Sequence, residues 1–117
     1  MRIGRGRWAL LAVLLLSQGA YAHHGWSQYD PERFLELTGT VREASFEHPH
    51  AVVRLEMRQK VWAVVLPPPT RAERLGLTPQ TLRPGTRVTV VGHPHRTHPD
   101  EVRALRIVLE GRTIPLR

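Results

Sequence analysis

"KVWAVVLPPPTRAERLGLTPQTLRPGTRVTVVGHP", residues 60–94, is the stretch on which the fold turns. In its first seven residues Trp62, Val64 and Leu66 fall on one side, and a period of two marks a half-buried strand. Pro67-Pro68-Pro69 ends that strand, because proline has no ladder donor and restricts the residue before it. Thr70 followed three positions later by Glu73 has the spacing of a capping box, and Gly76 supplies a stop, so a short helix is predicted over Arg71 to Leu75. Thr78-Pro79 can start a second helical turn that closes before Pro84-Gly85. "TRVTVVGHP" then returns to period two, with Val88 and Val90 inward and Thr89 and Val91 outward.

Working outward, "FLELTGTVREASF" (34–46) places Leu35, Leu37, Gly39 and Val41 on one face. "HAVVRLEM" (50–57) turns Ala51, Val53, Leu55 and Met57 inward, with His50 outward at its start. A tight Arg58-Gln59 connection should pair it with the strand that follows. "EVRALRIVL" gives a last strand whose most apolar stripe is Leu105, Ile107 and Leu109. "EGRTIPL" should turn at Gly111 and add a short edge segment. Five strands with a short helix between the third and fourth is the element order of a small OB-like β-barrel, an all-β fold. A sheet-plus-helix sandwich is the rival.

The start of the chain has another character. Arg2, Arg5 and Arg7 precede an apolar run from Trp8 to Leu16 and then Ala20-Tyr21-Ala22, the order of a secretory signal peptide. The run falls short of the about 20 apolar residues of a spanning helix. The expected organisation is a signal peptide at 1–22, an extended arm at 23–33 and a barrel at 34–117, with the processed chain periplasmic and without a transmembrane segment. A retained amphipathic anchor is the alternative. Removing the three leader arginines leaves 14 Lys or Arg against 10 Asp or Glu, a formal charge of +4. That charge is spread along the strands without interleaved aromatics, so no nucleic-acid partner is expected. The chain has no cysteine, which excludes disulfides, thiolate ligands and cysteine nucleophiles.

Histidine is the one clustered chemical residue. All seven fall in three groups: His23-His24, His48-Pro49-His50, and His93-Pro94-His95 with His98. An isolated histidine is usually a surface or hydrogen-bonded residue, and turn histidines without a metal are the plain alternative. Grouping favours a metal ion, since imidazole is the commonest ligand for transition metals. If cleavage follows Ala22, the freed amine and Nδ1 of His23 can chelate one ion, with a second imidazole completing a set suited to copper(II). Zinc is the runner-up. The candidate ligands are His23, His24, His48, His50, His93 and His95. Asp30, Glu32 and Glu47 could orient them, solvent exposure being the plainer reading, and Trp26 and Tyr29 either pin the arm or meet a partner. Neither a G-x-S-x-G elbow nor a glycine-rich phosphate loop is present, so no enzyme is expected. The functional expectation is a periplasmic metal-binding or delivery protein. Its alternative is a metal-free envelope module that binds a protein or glycan.

"AHHGW", "LTGTV", "HPHAVV", "LGLTPQTLRPGTRVTVVGHP" and "LEGR" together resemble small exported bacterial proteins of domain of unknown function family 6152. The resemblance runs from Ala22 to about Arg112. It matches at His23, His24, Gly39, Val41, Pro49, His50, Ala51, Leu82, Pro84, Gly85, Val88, Val90, Gly92, Pro94, Gly111 and Arg112. Phe46-Glu47-His48 stands where the family has a tryptophan and an asparagine, Leu77 replaces a second tryptophan, and Glu110 replaces an aspartate. The resemblance implies export and makes His23, His24 and His50 the ligand set. His48 and His93 would be additions of this chain, and a surface built from the missing tryptophans is put in doubt.

Overall fold

The computed structural model describes residues 25–117. A 3-10 turn at Trp26–Gln28 opens the described chain, followed by β1 (Leu35–Ser45), β2 (Val52–Met57) and β3 (Lys60–Val65). A helix α1 (Pro69–Arg74) precedes β4 (Arg87–Pro94), β5 (Glu101–Leu109) and β6 (Arg112–Pro115). The strands run in the order β3-β2-β1-β4-β5-β6, and a parallel pairing of Ala63–Val65 with Glu101–Arg103 joins β3 to β5. That pairing closes five strands into a mixed barrel, with the helix between β3 and β4 and β6 added along the far half of β5. The fold is the OB-like barrel expected, its five strands closed where a sandwich would leave two open sheets.

β1 serves two neighbours, which requires a bend. Leu35–Thr40 pair with β4 and Thr40–Ser45 with β2, with a bulge at Arg42. Gly39 lies at the corner, where a Cβ would run into the Glu56 carbonyl. Gly92 does the same on β4, backing onto the Arg103 carbonyl. Both glycines sit where two backbones approach more closely than a side chain permits.

The inward residues form one core: Leu37, Val41, Val53, Leu55, Val64, Val88, Val90 and Ile107 are all buried. One position of the predicted last-strand stripe departs: Ile107 and Leu109 are buried as expected, but Leu105 is only half-buried, and Val102 and Ala104 complete the core face of β5. The register explains it, because Val91 pairs with Arg106 and Gly92 with Ala104, leaving Leu105 as the extra residue of a bulge. The Leu105 carbonyl accepts from Leu116 N at 2.8 Å, so the bulge is satisfied. Val91, of outward parity, is also buried.

The two connecting hairpins use left-handed residues, Arg58-Gln59 (φ 53° and 63°) and Glu110-Gly111 (φ 50° and 76°), as two-residue turns matched to the strand twist require. The helix starts earlier than its spacing suggested. Pro68 is its N-cap, no side chain caps it, and Pro69 begins it. Thr70 therefore lies inside the first turn and not at the N-cap, so the Thr70–Glu73 spacing does not form a capping box. The helix ends on Gly76 (φ 87°), with Leu77 N on the Ala72 carbonyl and Gly76 N on the Glu73 carbonyl, both at 2.9 Å. The reciprocal cap falls one turn later: Thr78 N donates to Thr81 Oγ1 at 2.9 Å and Thr81 N to Thr78 Oγ1 at 3.2 Å. Leu77 is fully buried and fills a core position. Among the described residues, no helix is long and apolar enough to cross a membrane.

Candidate metal centre

The site is built by the loop between β4 and β5. His95 N donates to the Glu101 carbonyl at 3.0 Å, which closes the loop at its neck. Inside it the His95 Nδ1 accepts the N–H of His98 at 2.9 Å and that of Thr97 at 3.1 Å. These contacts fold His98 back onto His95, so that the two imidazoles stack at 4.0 Å between centroids and 7° between planes. His98 Nδ1 lies 3.3 Å from Glu101 Oε1. His95, His98 and Glu101 each present a donor atom, and these atoms lie within 4.8 Å of one another. Two imidazole nitrogens and a carboxylate oxygen at that spacing can chelate a metal ion.

The arm holds the loop in place. Asp30 N donates to the Pro94 carbonyl and Arg96 N to the Gln28 carbonyl, both at 2.9 Å, and Arg96 Nε reaches the Ser27 carbonyl at 2.9 Å. Tyr29 is buried, bridges to His95 through its backbone, and sets its ring edge-on to the His95 ring at 5.1 Å. Its hydroxyl donates to Glu101 Oε2 at 2.5 Å. Burial pushes the Tyr29 phenol well above its ordinary value, helped by the hydrogen bond and charge of Glu101 and opposed by Arg103. Tyr29 is therefore a fixed donor and Glu101 its acceptor. Burial lowers the His95 imidazole, with His98 acting the same way and Glu101 opposing. Both effects favour the neutral ring, the form that binds metals.

The hydrogen bonds also set a cost. A neutral His95 that accepts at Nδ1 carries its proton on Nε2. An ion taken at Nε2 sends that proton to Nδ1, where it faces two N–H groups, and an ion taken at Nδ1 displaces the same two groups. Loading thus competes with two internal hydrogen bonds, each worth about 1 kcal/mol. His50 has the opposite arrangement: its Nδ1 lies 3.0 Å from the Leu66 carbonyl, so the proton sits there.

The candidates from sequence separate accordingly. His23 and His24 lie outside the described residues. His95 joins the cluster. His48 is exposed, next to the cis His48–Pro49 bond, and His50 is half-buried before β2. His93, of outward parity, is 5% exposed, because the arm crosses it: its Nδ1 donates to the Arg33 carbonyl at 2.7 Å, with Phe34 and Trp26 packed against the ring. The Asp30 carboxylate accepts from Glu32 N at 3.0 Å, and Glu32 and Glu47 are exposed. Glu101, by contrast, meets a histidine, its Oε1 lying 3.3 Å from His98 Nδ1. Trp26 and Tyr29 pin the arm, Trp26 beneath the Arg103 and Arg117 guanidinium groups at 4.1 and 4.2 Å.

Glu101 escaped the sequence reading, and His98 was grouped with its neighbours without being placed in the ligand set. The signal is the spacing His95-x-x-His98-x-x-Glu101, three donors at every third position. Glu101 also lines a groove of about 260 Å³ with Tyr29, Pro49, His50, Val52, Arg54, Ala63 and Val65. The groove lies over the outer face of β2, β3 and the start of β5, and His50 and Glu101 border the same space.

Barrel, arm and loop define the class: a small OB-like β-barrel that carries a His/His/Glu cluster beside a groove. The chain belongs to a family of unknown function (DUF6152), whose model matches residues 11–102. Gly111 and Arg112 lie beyond the matched stretch. No curated protein matches significantly. Among solved structures, the chain is similar to part of a crystal structure of TiaS in complex with an isoleucine tRNA and ATP, at 22% identity and a TM-score of 0.52. The alignment covers 69% of this chain and 19% of that one, so the likeness describes the barrel alone.

Proposed function

We propose that this is an exported envelope protein that binds a transition-metal ion at His95, His98 and Glu101 and passes it on. The observation that carries the reading is the convergence of three donor atoms of metal-binding type within 4.8 Å. Three protein donors leave a coordination position for water or an incoming ligand, which suits exchange rather than a closed structural site. Copper(II) is the first ion of choice, because a nitrogen-rich set binds it most tightly of the divalent series, and zinc(II) is the second. The leader from Arg2 to Ala22 supports export to the periplasm. Cleavage there would add the His23 amine and His24 as a further ligand pair, with His50 as its partner. Binding and delivery, not catalysis, is the activity assigned.

The test is calorimetric titration of the signal-processed protein with Cu(II) and Zn(II), beside His98→Ala and Glu101→Gln. The expected result is an ion held at the His95, His98 and Glu101 seat, with the affinity of that seat reduced about tenfold or more in each variant. Unchanged affinity in both would refute this seat.

The groove favours a second reading. Its floor includes Val52, Ala63 and Val65, and it lies on the β2–β3 face that OB-type barrels use for ligands. A metal-free envelope module would take a protein or glycan segment there, and that binding would persist in chelator.

A further inference from the structure

A second cluster lies on the other side of the arm. Arg71 of α1, Arg103 of β5 and Arg117 border a crevice of about 50 Å³ with Trp26, Pro67 and Pro68. Among the described residues that line it, none is acidic.

The geometry fixes two of these cations. The Arg103 and Arg117 guanidinium groups sit over the Trp26 ring, and Arg103 lies 5.9 Å from the Tyr29 ring as well. A guanidinium that stacks on a ring uses its face, so Arg117 keeps its in-plane N–H fork for an acceptor, and Arg71 offers a second fork from the helix. Arg103 adds a third positive charge to the same lining. An anion entering the crevice meets three like charges at once, and forked donors match tetrahedral oxyanions best. We propose that the Arg71–Arg103–Arg117 crevice binds a phosphate group, from inorganic phosphate or from a phospholipid headgroup. The site shares no residue with the metal cluster and stands independently of it.

The full chain, in its exported form, can be titrated with inorganic phosphate while the arginine Nε–H resonances are followed by NMR. In a second arm it is sedimented with phosphatidylcholine vesicles with and without phosphatidylglycerol. Arg71→Gln and Arg117→Gln are compared with Arg106→Gln, an exposed arginine outside the crevice. Saturable binding in either arm, weakened roughly tenfold by the two crevice variants and not by the control, is the expected result. The first arm then identifies free phosphate and the second a headgroup. Arg71 is exposed and makes no stacking contact with Trp26, so its variant serves even if Arg117→Gln loosens the arm. Equal weakening in all three variants would reduce the effect to general charge and overturn the site. Absence of saturable binding in both arms would overturn the proposal outright.

Discussion

The Tyr29 hydroxyl donates to the Glu101 carboxylate across 72 positions of sequence, and this bond ties the arm to the loop that carries the metal cluster. The ring beneath it is buried, so Tyr29→Phe should keep the packing and lose the bond. The expected cost is about 2 kcal/mol, the range for a hydrogen bond to a charged group, read from urea denaturation. The same variant frees one Glu101 oxygen and should alter metal affinity as well.

Stability should fall as the solution is acidified below His95's ordinary pKa of 6.5. Its folded value is lower than that, so between the two values the unfolded chain binds the proton and the folded chain does not. The favourable contribution is complete above 6.5 and is lost as pH falls through the folded value. His95→Asn keeps a side-chain acceptor for the two loop N–H groups without titrating. Denaturation midpoints at several pH values should show a shallower acid slope for that variant.

Gly92→Ala would drive a Cβ into the Arg103 backbone, a partner that cannot move aside as a flexible side chain would. A loss of about 2–3 kcal/mol is expected, measured as a shift in thermal midpoint. Gly111, by contrast, has a positive φ and nothing crowding it, so its substitution should report turn strain alone.

The bulge separates two leucine-like positions that sequence treats alike. Ile107→Ala should cost about 2–5 kcal/mol, as for a fully buried aliphatic side chain. Leu105→Ala, at the half-exposed bulge, should cost markedly less. Equal costs in chemical denaturation would contradict the assigned register.

The barrel was legible because its strands keep a strict period of two and because proline, glycine and the 60–94 stretch punctuate them. What broke the pattern was non-local. The Leu105 bulge depends on how β5 meets β4, and no run of β5 residues announces it. His93 reads as outward by parity and is covered only because residues 26–34 return across it. The histidines were visible as a group, but which of them converge depends on the β4–β5 loop folding back through the Nδ1 of His95. Glu101 was read as the first residue of a strand, and its role emerges only from the contacts with His98 and Tyr29.

The central claim is that His95, His98 and Glu101 hold one ion, and anomalous diffraction from crystals of the processed protein soaked in Cu(II) tests it most directly. The account predicts one peak bonded to both imidazoles and the carboxylate, at about 2.0–2.2 Å from each donor, with the His95–His98 loop rearranged. A single peak at the His23 end or at His50, with that loop unchanged, would contradict it.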